Sequence, residues 1–273
     1  MTSPNLPQTQ PRYFEILRAL QKGGMSLWLN RKSLMPMTLV PVIVTFLTLM
    51  IMRTLTGDEN ADISYFVMAM VQIPADFVVG IFCALVVFII MSAPKKDDKD
   101  KPVMFTLNIL ERKDLILAGA IAHVVISYLS GGFYGGLLLI FEPMQQAAAE
   151  TQQVSGASMF LLGTLMAVFF YAIRFLMLPI LVVAQMDIKG FYRAHMGYGL
   201  SLPVFLVKAA TAMVVGFFIM FPAAAVMGTE GDATPIQMAL VDFAVAFGNV
   251  IAVAWAYAAL AIGLRQMTDK GQS

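Results

Sequence analysis

The chemistry-bearing side chains of this chain lie where they are most costly, inside long apolar runs. Arg174 stands within FFYAIRFLMLPILVV, His123 within GAIAHVVISY and Asp76 within VQIPADFVVG. A guanidinium keeps its charge at any relevant pH and needs hydrogen-bond acceptors wherever it is buried. An ionisable group inside hydrocarbon therefore marks a structural ion pair or a ligand site. On this reasoning Arg174, Asp76 and His123 form the candidate intramembrane polar site. Asp76 is the best partner for Arg174 by depth. Carbonyls near Pro179, which donates no hydrogen bond, would complete the arginine's shell. In the functional version of the same reading, Arg174 binds the anionic part of a substrate or a lipid headgroup. Asp242 falls toward the end of its run, and Lys208 lies near enough to an end to snorkel to the surface.

Other chemistry is excluded residue by residue. The chain has one cysteine, Cys83, and two histidines, His123 and His195. It can form no intrachain disulfide and offers no Cys/His cluster for a metal. The 21 methionines are scattered through apolar runs and read as filler rather than copper ligands. Gly197-Tyr198-Gly199 resembles a potassium-filter triplet, but Met196 and His195 stand where that filter has valine and threonine. Ser130 lacks the glycine two residues earlier that a protease elbow needs; Tyr128 is there. No catalytic, cofactor-binding or metal-ligating residue is assigned, no cofactor is expected, and the chain is read as a non-enzyme. Gly131, Gly132, Gly135 and Gly136 make two overlapping GxxxG patterns. Such a stripe lets a second helix approach closely, so helix packing is the expected role; a glycine-flexed helix lining a site is the alternative.

The elements that must position these residues follow from composition. Fifty-nine per cent of the 273 residues are hydrophobic and 13% charged, and mean hydropathy is +0.77. About 25% charge is usual for soluble domains, so a soluble enzyme and a disordered chain are excluded. A net charge of +1 leaves no basic footprint, so no nucleic-acid partner is expected. The fold class is all-α, a polytopic membrane protein. Runs of about 20 apolar residues cross the bilayer as helices. Six are predicted, at about 34–53, 65–92, 115–141, 158–184, 201–227 and 236–264, with Pro74 bending the second. Residues 1–33 form a cytoplasmic amphipathic segment, 34–265 the six-helix domain and 266–273 a cytoplasmic tail. The first run has no signal-peptide pattern and is expected to stay in the mature protein.

Fifteen of the 18 Lys and Arg residues fall in the first segment, the 93–114 and 185–200 loops and the tail. The alternate loops hold only Arg53, at one edge, and are otherwise acidic. That bias places both termini in the cytoplasm. Three cytoplasmic stretches are predicted to lie on the membrane. In 11–33, Tyr13, Phe14, Leu17 and Leu20 share an apolar face, Arg12, Arg18 and Lys22 face anionic headgroups, and Gly23-Gly24 ends or bends the helix; it is read first as an elbow packing under the bundle, with a partner-docking helix as the alternative. A second runs from Pro102 to about Lys113, beyond the mixed-charge run 95–101. A third runs from Asp187, its cap, to His195, with Ile188 and Phe191 facing the membrane.

These segments carry a resemblance. Phe14-Glu15-Ile16-Leu17-Arg18 and Trp28-Leu29-Asn30-Arg31 lead into a proline-bearing first span. Tyr171-Ala172-Ile173-Arg174-Phe175, Leu178-Pro179 and Gly190-Phe191-Tyr192-Arg193-Ala194 follow later. Together they resemble the six-helix bacterial membrane domain associated with some glycerophosphodiester phosphodiesterases, and its stand-alone relatives. Gly197 and Tyr198 stand where that domain has a serine, and no phosphodiesterase domain is present. The resemblance implies a multi-pass protein of the bacterial inner membrane, not a reaction. The expected role is non-enzymatic: scaffold, assembly or envelope maintenance. The alternative is a small-solute transporter or lipid-handling protein. Expected partners are the bilayer, its anionic headgroups, and a membrane-protein partner or second copy.

Overall fold

A computed structural model describes residues 14–56, 65–92, 112–149, 156–195, 199–226 and 234–269. Among these the structure is helical and has no strand. An opening helix α1 (Ile16–Leu29) leads through Asn30 into α2 (Arg31–Thr56). Next come α3 (Tyr65–Ser92) and α4 (Lys113–Ala149). The fourth apolar run is split into α5 (Gly156–Ala172), a 3-10 turn (Ile173–Met177) and α6 (Leu178–Val183). A short α7 (Ile188–Ala194) precedes the fifth run, which comprises α8 (Ser201–Val215), a π turn (Gly216–Met220) and α9 (Phe221–Val226). Helix α10 (Pro235–Asp269) ends the fold. Six helical stretches are long and apolar enough to cross a membrane, and they coincide with the six predicted runs.

The breaks in the fourth run have a local cause. Pro179 has no N–H, so the chain tightens before it, and Leu178 N–H bonds to Phe175 O, three residues back. After α6 the chain reverses sharply. Gln185 N–H bonds to Val182 O and Met186 N–H to Leu181 O, closing the helix with Gln185 in the left-handed region at φ 54°. That reversal brings α7 back against the bundle. Helices α2 and α3, by contrast, run through Pro36, Pro41 and Pro74 without interruption.

Two expectations about surface helices are corrected. Helix α1 neither ends nor breaks at Gly23-Gly24. It packs along α10, with Ala19, Gly23 and Ser26 buried on one stripe. A Cβ on Gly23 would stand 2.8 Å from Ala259 N, so only glycine permits this approach. Trp255 Nε1 donates to Leu20 O at 2.9 Å across the same seam. The side facing α10 is the small-residue stripe, Phe14 and Leu20 pack against the core, and Leu17 is 83% exposed. In α7, Phe191 is buried and Ile188 packs against the protein core rather than outward. Asp187 sits at the cap position, but its side chain bonds no backbone N–H; its carbonyl accepts from Phe191 N at 2.8 Å. The predicted Pro102 helix, Tyr13, Arg12 and Gly197 lie outside the described residues.

The core sits at the end of the bundle where the Lys and Arg residues cluster. It is built from Val79–Ile90 of α3, Met177–Val183, Val204 and Val207 of α8, and Ala254–Leu264 of α10. Gly80 lets α3 approach α4 until Ala120 O would lie 3.0 Å from an added Cβ. Arg265 closes this end by donating Nη1 to Ile90 O at 2.7 Å.

Candidate functional site

Helix α4 carries His123 into the core beside Tyr257 of α10. His123 Nδ1 and Tyr257 Oη share a hydrogen bond of 2.6 Å, and the rings meet edge to face at 5.5 Å. Which atom donates follows the imidazole tautomer. His123 is 6% exposed and Tyr257 2%, so each is the other's substitute for water. Helix α8 brings Lys208 to the same place, its Nζ 5.7 Å from the centre of the Tyr257 ring. Cys83 of α3 is fully buried and within electrostatic range of both Lys208 and Tyr257. Four helices thus converge on one polar cluster.

Arg174 lies in the 3-10 turn and is 6% exposed. Its guanidinium carbon is 3.7 Å from the Tyr171 ring centre, 5.1 Å from Phe175 and 5.7 Å from Tyr192. Ring faces attract the cation, but they do not supply in-plane acceptors for its N–H groups. Arg174 Nε and Nη1 are buried with no hydrogen-bond partner among the described residues. Tyr192 reaches over from α7 and donates its hydroxyl to Arg174 O at 3.3 Å. Burial pushes the Tyr192 hydroxyl above the ordinary phenol range, against the pull of the Arg174 charge, so it stays a donor at neutral pH.

The predicted trio is therefore only partly brought together. Asp76 is half-buried and makes no ion pair with Arg174 among the described residues. Nor does Pro179 free a carbonyl for Arg174, because the 3-10 turn gives Phe175 O a donor from Leu178 N. Asp242 is the carboxylate that finds an arginine: Arg53 Nη2 donates to its Oδ1 at 2.5 Å. His195 stands apart, its Nδ1 donating to Phe191 O at 2.9 Å.

The glycine stripe of α4 has no neighbour where one can be described. Gly132 is exposed, with nothing within 4 Å of an added Cβ, and Gly131 is half-buried. Gly135 and Gly136 lie in the same helix, but their surroundings are outside the described residues. The close helix approaches use Gly23, Gly80 and Gly119 instead.

Sequence reasoning missed Tyr257, treated Lys208 as a snorkelling side chain and weighed Cys83 only for disulfide and metal chemistry. A tyrosine in an apolar run has no local signal, and its partner His123 is 134 positions away. No group of three or more metal-ligating side chains occurs among the described residues. No protein-family model, curated protein or solved structure matches the chain.

Proposed function

We propose that this is a multi-pass protein of the bacterial inner membrane that holds an anionic solute or lipid headgroup in the basic half of its bundle. Both termini lie in the cytoplasm in this reading. The carrying observation is that Arg174, Lys208 and His123 are drawn into the helix bundle with no carboxylate paired to any of them among the described residues. Cationic and proton-accepting groups embedded without counter-ions are costly, and a bound anion offsets that cost. The positive-inside bias supports the orientation, and the resemblance to the phosphodiesterase-associated membrane domain supports the inner membrane. Reporter fusions test the topology: Gly57, Gln152 and Gly231 should report outside, Lys99 and Gly271 inside, and one swapped site overturns it.

Anion binding is tested on the purified protein in neutral detergent. Inorganic phosphate or phosphatidylglycerol should raise its melting temperature in a saturable way, as a ligand of the folded state must. Lys208→Met should weaken that response. If neither anion shifts the melting curve, the anion reading falls. The scaffold or assembly role then stands, supported by the exposed, unfilled glycine stripe at Gly132.

A further inference from the structure

A second buried polar atom, on α8, has no partner among the described residues. Ser201 is 0% exposed, and its Oγ makes no hydrogen bond among the described residues. It is the first residue of α8, whose cap residue Leu200 offers no side-chain bond to the helix end. The N–H groups of a first turn have no intrahelical acceptor, and together they present partial positive charge. Pro203 removes one of these donors, leaving those of Ser201 and Leu202.

The helix register brings the two features to one level. As spans four and five of an alternating bundle, α5 and α8 run in opposite directions in this reading, and Phe170 meets Phe205 with ring centres 5.5 Å apart. One helical turn toward the basic end from each ring stand Arg174 and Ser201. The 3-10 turn that carries Arg174 packs directly on α8. Tyr192, from the helix just before α8, lies against Arg174.

From this we infer that Arg174, the Ser201 hydroxyl and the first-turn N–H groups of α8 form a phosphate-class oxyanion site. It rests on the anion-binding reading above and names its location and chemistry. The guanidinium edge supplies a two-pronged donor through Nε and Nη1, the hydroxyl a third donor, and the helix end the remainder. Every group in the set donates, and none is a carboxylate. The Tyr171 and Tyr192 rings hold the guanidinium by its faces, leaving its edge for the ligand. The shared chemistry is a phosphate monoester, diester or free phosphate.

The experiment is thermal-shift titration of the full chain in neutral detergent, with inorganic phosphate in one series and phosphatidylglycerol in another. Wild type should respond saturably to at least one. A response to phosphate alone identifies a free anion, and a response to the lipid alone identifies a headgroup. Ser201→Ala should weaken the apparent affinity by about tenfold, the usual scale of one lost donor to an anion. Arg174→Lys, which keeps the charge but loses the two-pronged edge, should weaken it further. Lys208→Met should leave a substantial part of the response. If Ser201→Ala and Arg174→Lys both titrate as wild type while Lys208→Met does not respond, this site is wrong and the broader anion reading survives. If wild type responds to neither probe, both fall. Ser201→Ala deletes a single unpaired hydroxyl, so its fold should persist even if an arginine variant fails to fold.

Discussion

The two halves of the bundle are both apolar and are differently built. Toward the basic end, Val204 and Val207 are 0% exposed, and so are Ala258, Leu260 and Leu264. Toward the other end of the same helices, Phe217 is 66% exposed, Phe218 71% and Ile236 74%. Side-chain size separates them. The basic half is lined by Ala256, Ala258, Ala259, Ala261, Gly80, Gly119 and Gly23, which let backbones close to contact. The opposite half presents exposed Phe, Met and Leu side chains, Phe217, Met213 and Leu240 among them. In a membrane this distinction matters more than hydrophobicity, because lipid tails solvate an apolar surface as well as another helix does. His123, Tyr257, Arg174 and Ser201 are buried in the tight half, while the buried Asp242 lies in the other half and is paired with Arg53.

The contrast fails most visibly if the tight half tolerates bulk. Gly23→Leu would drive a branched side chain into the Ala259 backbone and should cost about 1–3 kcal/mol through overpacking. Gly80→Leu should do the same against Ala120. Melting temperature in detergent is the readout, and wild-type values for both would mean the seams are not closed.

A smaller effect tests whether the polar cluster belongs to that tight half. Tyr257→Phe removes the hydroxyl and strands the His123 ring nitrogen in a dry site, at a cost of roughly 1–2 kcal/mol. Adding His123→Phe should then cost less than the sum of the two single variants. Additive losses would show that the two side chains do not depend on each other.

The smallest effects belong to the opposite half. Arg53 is 42% exposed, so breaking its pair with Asp242 by Asp242→Asn should cost under about 1 kcal/mol. Gly132→Leu should leave the monomer's melting unchanged, because its Cβ position is open. A loss there would reveal a second copy or partner helix on the glycine stripe.

How far the amino-acid sequence reaches is seen by following particular residues. The six long apolar runs were legible because hydropathy is a local sum over about 20 neighbours, and a helix satisfies its own backbone. The amphipathic start at Phe14–Leu20 and the short helix opening after Asp187 were legible for the same reason, since 3.6-residue periodicity is written in adjacent positions. Direction around the axis was not. Gly23-Gly24 has the signature of a helix end, yet serves as a contact surface, because its partner Ala259 is far away in sequence. Gly131–Gly136 has the signature of a contact surface, yet Gly132 meets nothing among the described residues. A glycine's role depends on what stands opposite, and that is a property of two helices. The same holds for charge. Arg174, Asp76 and Asp242 could be ranked by depth alone, and depth paired Arg174 with Asp76. The fold turned Asp242 to Arg53 and left the Arg174 edge without an acceptor, because pairing requires two helix faces to meet at one rotation. Helix existence, length and the distribution of basic loops are thus one-dimensional properties of this chain. Which side chains share a buried site is decided only when the helices pack, since rotation and register enter with the tertiary contacts.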